Sequence, residues 1–343
     1  MNTATAPEPH APGPHAPRAT PSGVKPHARD LPLRVGTRPS PLALTQTRGF
    51  IDLLRRFCPV LRTMEVFQEH AIRTTGDTVQ DRRLADIGGK GLFAKEIHEA
   101  LADGRIDFAV HSLKDLETAL PPGIVLACTL RREDARDALI LRTAAGPIDP
   151  ERPFAGLASG AVLGTASLRR QAQVLHVRPD LRVVMLRGNV QTRIDKLAAG
   201  AADATLLALA GLRRLGLADH AAATIDPEVM VPAAGQGIVG VTVRADDTDL
   251  RELLAAIEDP DARAVAAAER ALLGALDGSC RTPIGGYARL DGQGRLHLTG
   301  LLARGDGSYL DKRHLTGPAA EAAWLGAELG AALRADAPAD LLV

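Results

Sequence analysis

The chain has 343 residues, with 41 basic and 41 acidic side chains and 45% hydrophobic residues, the make-up of a globular protein of two or three domains. Zero formal net charge excludes a chain-wide basic nucleic-acid binder and an acidic solvating protein. Aromatic residues at 3% argue against base-stacking platforms, no apolar run reaches the ~18 residues of a membrane span, and three scattered cysteines (Cys58, Cys128, Cys280) fit neither a disulfide scaffold nor a zinc cage.

Residues 1–30 hold seven prolines, three histidines and almost no large apolar side chain. Such a segment cannot bury enough surface to offset its ordering entropy and is expected to be disordered; it lacks the apolar stretch of a secretory signal and the arginines of a transit peptide. From Leu31 onward, periodicity predicts strands at Leu33–Gly36, Ile106–His111 and Ile124–Leu130 and helices at Pro41–Phe57 and Phe93–Ala102. After Asp137 the alternation restarts, with strands at Val162–Thr165, Val183–Leu186 and Ala204–Ala210 and helices at Ser167–Val177 and Thr192–Ala199. Strands spaced by helices predict two α/β lobes with parallel-dominated sheets. Val239–Val243 is a late strand placed to return to the first lobe and make it discontinuous. From Asp261 the pattern turns α+β: a helix at Ala262–Leu276, a Gly-rich loop, a hairpin over Tyr287–Leu302 about Asp291-Gly292-Gln293-Gly294, and a helix at Pro318–Arg334. The expected division is a tail at 1–30, a first lobe at 31–130 plus 238–255, a second at 136–232, and a C-terminal domain at 260–343.

Ligands of open α/β sheets bind at the carboxyl ends of strands and at helix N-termini, and two strand ends here are chemically loaded. Phe108-Ala109-Val110 runs straight into His111-Ser112-Leu113-Lys114-Asp115. Gly164-Thr165-Ala166-Ser167-Leu168-Arg169-Arg170 ends a strand, offers Ser167 as a helix cap and places two arginines in the first turn. Cations there oppose the helix dipole, so an anion is expected beside them. Leu186-Arg187-Gly188-Asn189, Arg193 and Arg213-Arg214 continue the pattern: Gly164 to Arg214 holds nine basic and three acidic residues. Over the whole chain 35 arginines stand against six lysines, and the planar guanidinium fork suits carboxylates and phosphates. A GC-rich genome and a solvated basic face are the plainer readings of the same residues. Gly88-Gly89-Lys90-Gly91 fails the P-loop pattern, because glycine follows the lysine; it reads as a Gly-rich lid presenting Lys90. Cys280, among glycines and beside Arg281, reads as an accessible thiol favoured as thiolate, with no histidine in a recognisable partner motif. The residues alone thus give an accessible thiol, a carboxylate at a strand end and an arginine-rich anion cradle.

Seven segments in order resemble the porphobilinogen deaminase (hydroxymethylbilane synthase) family. They are Thr37-Arg38-Pro39-Ser40-Pro41-Leu42-Ala43, Gly88-Gly89-Lys90-Gly91-Leu92-Phe93, His111-Ser112-Leu113-Lys114-Asp115, Ser167-Leu168-Arg169-Arg170-Gln171, Leu186-Arg187-Gly188-Asn189-Val190, Ala234-Gly235-Gln236-Gly237, and Gly278-Ser279-Cys280 followed by Pro283-Ile284-Gly285. The resemblance implies two lobes like type II periplasmic binding proteins and a third domain carrying the cysteine. It implies a covalent dipyrromethane joined by a thioether to Cys280, on which four porphobilinogens are condensed head to tail, with loss of ammonia, into linear hydroxymethylbilane. Carried over residue by residue, it makes Asp115 catalytic. It gives Lys114, Ser167, Arg169, Arg170, Arg187 and Gly188 to the cofactor, and Arg38, Ser40, Lys90, Arg193, Arg214 and Gln236 to the substrate. It implies no metal, no nucleic-acid or membrane partner, a cytoplasmic monomer, and a transient hand-off of product to the next tetrapyrrole enzyme. The chain departs from the family pattern at Asp86, Ala135, Ala166, Leu116-Glu117 and a long 142–160 segment. A two-lobed small-anion binding protein without catalysis is the alternative, but it needs no reactive cysteine. A regulatory DNA-binding module would need a basic recognition helix that is not present in the pattern.

Overall fold

The computed structural model describes residues 31–62, 66–79, 91–143, 146, 148–276 and 282–341. The expected disorder of 1–30, the Lys90 segment with Asp86, and Cys280 with Arg281 lie outside the described residues. In chain order the strands are β1 (Leu33–Thr37), β2 (Phe67–Ala71), β3 (Phe108–Ser112), β4 (Ile124–Thr129), β5 (Asp137–Leu141), β6 (Val162–Gly164), β7 (Arg182–Val184), β8 (Ala204–Ala208), β9 (Ala223–Thr224), β10 (Val239–Arg244), β11 (Ile284–Leu290), β12 (Arg295–Ala303) and β13 (Leu310–Pro318). The helices are α1 (Pro41–Phe57), α2 (Thr75–Thr78), α3 (Lys95–Ala102), α4 (Leu168–Val177), α5 (Val190–Ala198), α6 (Leu209–Arg214), α7 (Thr248–Ala255), α8 (Pro260–Ala275) and α9 (Ala322–Ala335).

The first sheet runs β2-β1-β3-β10-β4 and the second β7-β6-β8-β5-β9. In each, the strand fourth in order is antiparallel to both its neighbours while the other pairings are parallel. These reversed strands are the crossings: β5 takes the chain into the second sheet and β10 brings it back to the first, as the late apolar run at Val239–Val243 predicted. The architecture is α/β with two sheets of one strand order, plus a third sheet, β11-β12-β13, that is antiparallel throughout.

Local chemistry sets the elements that matter for the site. Ser40 Oγ accepts the Ala43 N–H at 3.3 Å and Pro41 occupies the first helical position, so α1 starts directly behind the end of β1. Its buried face, Phe50, Ile51 and Leu54, packs on Phe108 of β3, with the Phe50 and Phe108 rings edge to face at 5.7 Å; each such side chain contributes roughly 1.5–3 kcal/mol. In the third layer α8 and α9 touch backbone to backbone. A Cβ on Gly326 would fall 2.1 Å from the Ala268 carbonyl oxygen. The structure also corrects several expectations, among them the helix read from Pro318, which starts at Ala322 because β13 runs through Pro318. The strand read to Ala210 ends at Ala208, where α6 begins, and the C-terminal hairpin gains a third strand, β13.

Candidate active site

The first rim is built where β1 and β3 end. After Ser112 the chain makes a 3-10 turn, Leu113–Asp115. Leu113 and Leu116 are buried on either side of it, and the Leu113 N–H donates to the Ile238 carbonyl at 3.0 Å. The turn is therefore pinned, and the Asp115 side chain keeps 29% of its surface in solvent. Arg38, one residue past β1, donates from Nη1 to Asp115 Oδ2 at 3.3 Å. Its Nε lies 3.2 Å from each Asp77 carboxylate oxygen and Nη2 also bonds Asp77. The guanidinium stacks over the Phe93 ring at 4.2 Å. Burial works to lower the Arg38 pKa, but the Asp77 bond and the Asp115 charge outweigh it and raise it.

The second rim is built where β6 and β7 end. Ser167 caps α4 by accepting the Arg170 N–H at 3.4 Å. Arg169 and Arg170, each about 5–6% exposed, turn inward onto Asp137, the first residue of β5, at 2.8 Å each. The anion expected beside those cations is thus supplied by the chain itself. Burial alone would raise the Asp137 pKa; the two guanidiniums overcome it and hold the carboxyl well below the usual carboxylate range. Further donors are satisfied by the Val231 carbonyl (Arg169, 2.7 Å) and the Leu206 carbonyl (Arg170, 2.8 Å). Past β7, buried Arg187 reaches across to the first rim, donating from Nη2 to the Gly76 carbonyl at 3.3 Å. Gly188 follows at φ +125°, where a Cβ would sit 2.7 Å from the Thr192 methyl, so this loop requires glycine. Arg193 donates to the Gly188 carbonyl at 2.8 Å. Burial, then Arg170 and Arg187, push its pKa down to about 10 against the pull of Asp115.

Gln236, 1% exposed, joins the two rims. Its Nε2 donates to the Ala135 carbonyl at 2.7 Å and to Asp137 Oδ1 at 3.0 Å, and its Oε1 accepts from Lys114 Nζ at 3.2 Å. Lys114 is exposed at its surface, with protein atoms crowding its ammonium. That desolvation, then Arg170, lowers its pKa to about 8, against Asp115 and Asp137. The third layer is tied in through Arg132, which donates to the Gln236 carbonyl at 2.9 Å and pairs with fully buried Glu269 at 2.6 Å. Arg214 donates to the Gly237 carbonyl at 2.6 Å.

Interactions of Asp115, Lys114, Arg169, Arg170, Arg187, Arg193, Gln236 and Arg38 therefore form one connected region, with Ser40 and Ser167 as helix caps at its two strand ends. A cavity of about 620 Å³ beside β2, lined by Arg34, Glu69, His70 and Arg105, holds none of them. Asp77 and Asp137 were not singled out from the sequence. Thr74 and Asp77 stand at the spacing of a helix-start motif, and Asp137 opens an otherwise apolar strand, where a buried carboxylate needs an internal partner.

The sequence profile described as "Porphobilinogen deaminase, dipyromethane cofactor binding domain" matches residues 33–252, and that of the porphobilinogen deaminase C-terminal domain matches 264–335. The porphobilinogen deaminase of Nitrobacter hamburgensis is 49% identical over 305 residues, covering 89% of this chain and 93% of that protein. That of Paracoccus denitrificans is 48% identical over 309 residues (90% and 96%), and the chloroplastic one of Oryza sativa subsp. japonica 48% over 286 (83% and 78%). Among solved structures, an ancestral cationic amino acid solute binding protein overlaps with a TM-score of 0.38 at 15% identity, covering 66% of this chain and 87% of that one. No helix of the described residues is long and apolar enough to cross a membrane. Profile matches over both parts of the chain and near-half identity over most of its length give one conclusion: the chain belongs to the porphobilinogen deaminase family.

Proposed function

We propose that the family's reaction is performed where the two rims meet, with Asp115 as the carboxylate that acts on the reacting pyrrole. The enzyme condenses four porphobilinogens head to tail, releasing one ammonia at each step, and water cleaves the finished chain from the primer and supplies the hydroxyl of hydroxymethylbilane. Loss of ammonia leaves a cationic pyrrole, and the attacking pyrrole is cationic until it sheds its proton. A carboxylate fixed at the end of β3 accepts the pyrrole N–H and favours both charged species, an effect that commonly contributes about 2.7–4 kcal/mol.

The donor set fits a group that carries several carboxylates. Lys114, Ser167, Arg169, Arg170, Arg187 and Gly188 would hold the dipyrromethane, whose thioether to Cys280 lies outside the described residues. When bound, it supplies the free pyrrole carbon from which the chain grows. Of the groups assigned to substrate, Arg38 is engaged by Asp77 and Asp115, Ser40 by the α1 cap, and Gln236 by Asp137 and Lys114. Arg193 and Arg214 each make one hydrogen bond among the described residues, which leaves guanidinium donors for acetate and propionate groups. Lys90 adds an ammonium from outside the described residues.

The observation that carries this reading is the meeting of Asp115 with the cationic second rim through Gln236 and Lys114. Intact-mass measurement and peptide mapping test it: the purified protein should carry two extra pyrroles on Cys280, and Cys280→Ala should fold without turning over. Unmodified Cys280 in active enzyme would sink it, and unmodified Cys280 in a protein without turnover would leave an anion-binding protein. The same reading divides the chain at 31–130 plus 238–255, 136–232 and 260–343, supported by sheet membership. It has a cytoplasmic monomer pass its product to the next tetrapyrrole enzyme, and light scattering of the purified protein tests the monomer.

A further inference from the structure

Among the described residues, the Arg38 guanidinium is shared by two carboxylates, Asp77 and Asp115. A guanidinium that faced Asp115 alone would cancel the carboxylate's charge and leave it little use to a developing cation. Here the geometry is different. Arg38 gives its Nε–Nη2 edge to Asp77 and only Nη1 to Asp115. Asp77 is itself held: Oδ2 accepts the Thr74 N–H at 3.2 Å and the Thr74 hydroxyl at 2.8 Å, and Thr74 is buried. Phe93 covers one face of the guanidinium and restricts its tilt. The cluster therefore has one orientation, with the two-point contact on Asp77 and the one-point contact on Asp115.

We propose that Asp77 is a positioning residue for the condensation: by taking up the Nε–Nη2 edge of Arg38 it leaves Asp115 only a one-point contact and keeps that carboxylate oriented toward the substrate. The inference rests on Asp115 carrying the chemistry, so Asp115→Asn is measured beside it. Asp77→Asn removes the competing charge and frees Arg38 to turn its full edge onto Asp115. The expected result is a kcat lower by roughly tenfold or more, with KM for porphobilinogen unchanged or lower, because the rim becomes more positive toward an anionic substrate. Asp77→Glu keeps the charge and should recover part of kcat. Attachment of the primer from free porphobilinogen, followed by intact mass, should slow by the same factor, since it is the same condensation. Melting temperature should stay near that of the parent. An Asp77→Asn enzyme with parental kcat, or one whose KM rises while kcat holds, overturns the proposal. If Asp77→Asn does not fold, Thr74→Val decides: loss of one hydroxyl bond to Asp77 should lower kcat about two- to fivefold, and a parental kcat refutes. An active Asp115→Asn sinks the reading of Asp115 itself, whereas an inactive Asp115→Asn beside a parental Asp77→Asn sinks only this inference.

Discussion

The two five-stranded sheets share a strand order but carry inverted charge at corresponding ends. Where β1 ends, Gly36-Thr37-Arg38-Pro39-Ser40 leads into α1; where β6 ends, Gly164-Thr165-Ala166-Ser167 leads into α4, and a serine caps each helix. Around the first end two carboxylates, Asp77 and Asp115, hold one guanidinium. Around the second two guanidiniums, Arg169 and Arg170, hold one carboxylate, Asp137. Among the described residues, one scaffold used twice thus presents a carboxylate-rich cluster and a guanidinium-rich one. That pairing suits a substrate whose reacting centre turns cationic while its acetate and propionate groups stay anionic.

The comparison breaks most sharply at Asp137. Asp137→Asn leaves two buried guanidiniums without their countercharge, and a loss of about 3–5 kcal/mol in unfolding free energy is expected, read by urea titration. The sign with pH follows from the depressed pKa. Asp137's contribution is complete above the unfolded value of 3.8 and is lost as the pH falls through the lower folded value. The parent should therefore lose more stability than Asp137→Asn on acidification below about pH 4; parallel curves would show that the carboxylate does not offset the arginines.

On the first rim, Asp115→Asn keeps shape but loses charge, and kcat should drop about 100- to 1000-fold. Asp115→Glu, charged but displaced, should retain part of the rate. Equal rates for the two at equal melting temperature would remove the negative half of the comparison.

Much of this contrast was legible in the sequence, and the part that was not has a physical cause. β1, β3, β8 and β10 are interior strands whose apolar runs announce them, edge strand β4 carries an apolar run as well, and Ser40-Pro41 marks the start of α1. β2, Phe67-Gln68-Glu69-His70-Ala71, and β13, over Leu310–Pro318, are edge strands, half-exposed on both faces, so neither alternation nor an apolar run betrays them. The cationic residues of the second rim stood out because they are many and close in sequence. Their partner did not, because Asp137 lies 32 residues before Arg169 and only the pairing of β5 with β8 brings it there. Asp77 was hidden for the same reason: its meaning lies in Arg38, which the parallel pairing of β1 and β2 places beside it.

Arg187 and Arg169 sharpen the positive half. Replacing Arg187 by Leu should stall chain growth or primer assembly, at about 1.5–3 kcal/mol per lost charge-assisted bond, visible as truncated products by mass; Arg169→Leu should do the same and, by removing one of the two countercharges of Asp137, also lower the unfolding free energy. Arg187→Lys should also be impaired, because one ammonium does not reproduce a planar fork. Full elongation by all three variants would refute the assignment.

The smallest expected effect tests the seam between the rims. Lys114 follows β3 on the negative side but faces Arg170 and Arg169, and its pKa falls to about 8. Its ammonium holds the primer's carboxylates only while protonated, so kcat/KM should decline as the pH rises, by roughly two- to fivefold for a contact that water still reaches. The primer's carboxylates favour the ammonium, so this limb should lie above about 8, the value for the chain without its primer. Stability should move the other way. Between about pH 8 and the unfolded value of 10.5 the unfolded chain holds more of this proton than the folded one, so rising pH stabilises the fold through this group. Lys114→Met should lower kcat/KM below pH 8 and flatten the limb, while any titration of the substrate's own amine stays common to both enzymes. An unchanged alkaline limb in Lys114→Met would place the proton elsewhere and leave Gln236 as the seam's working residue.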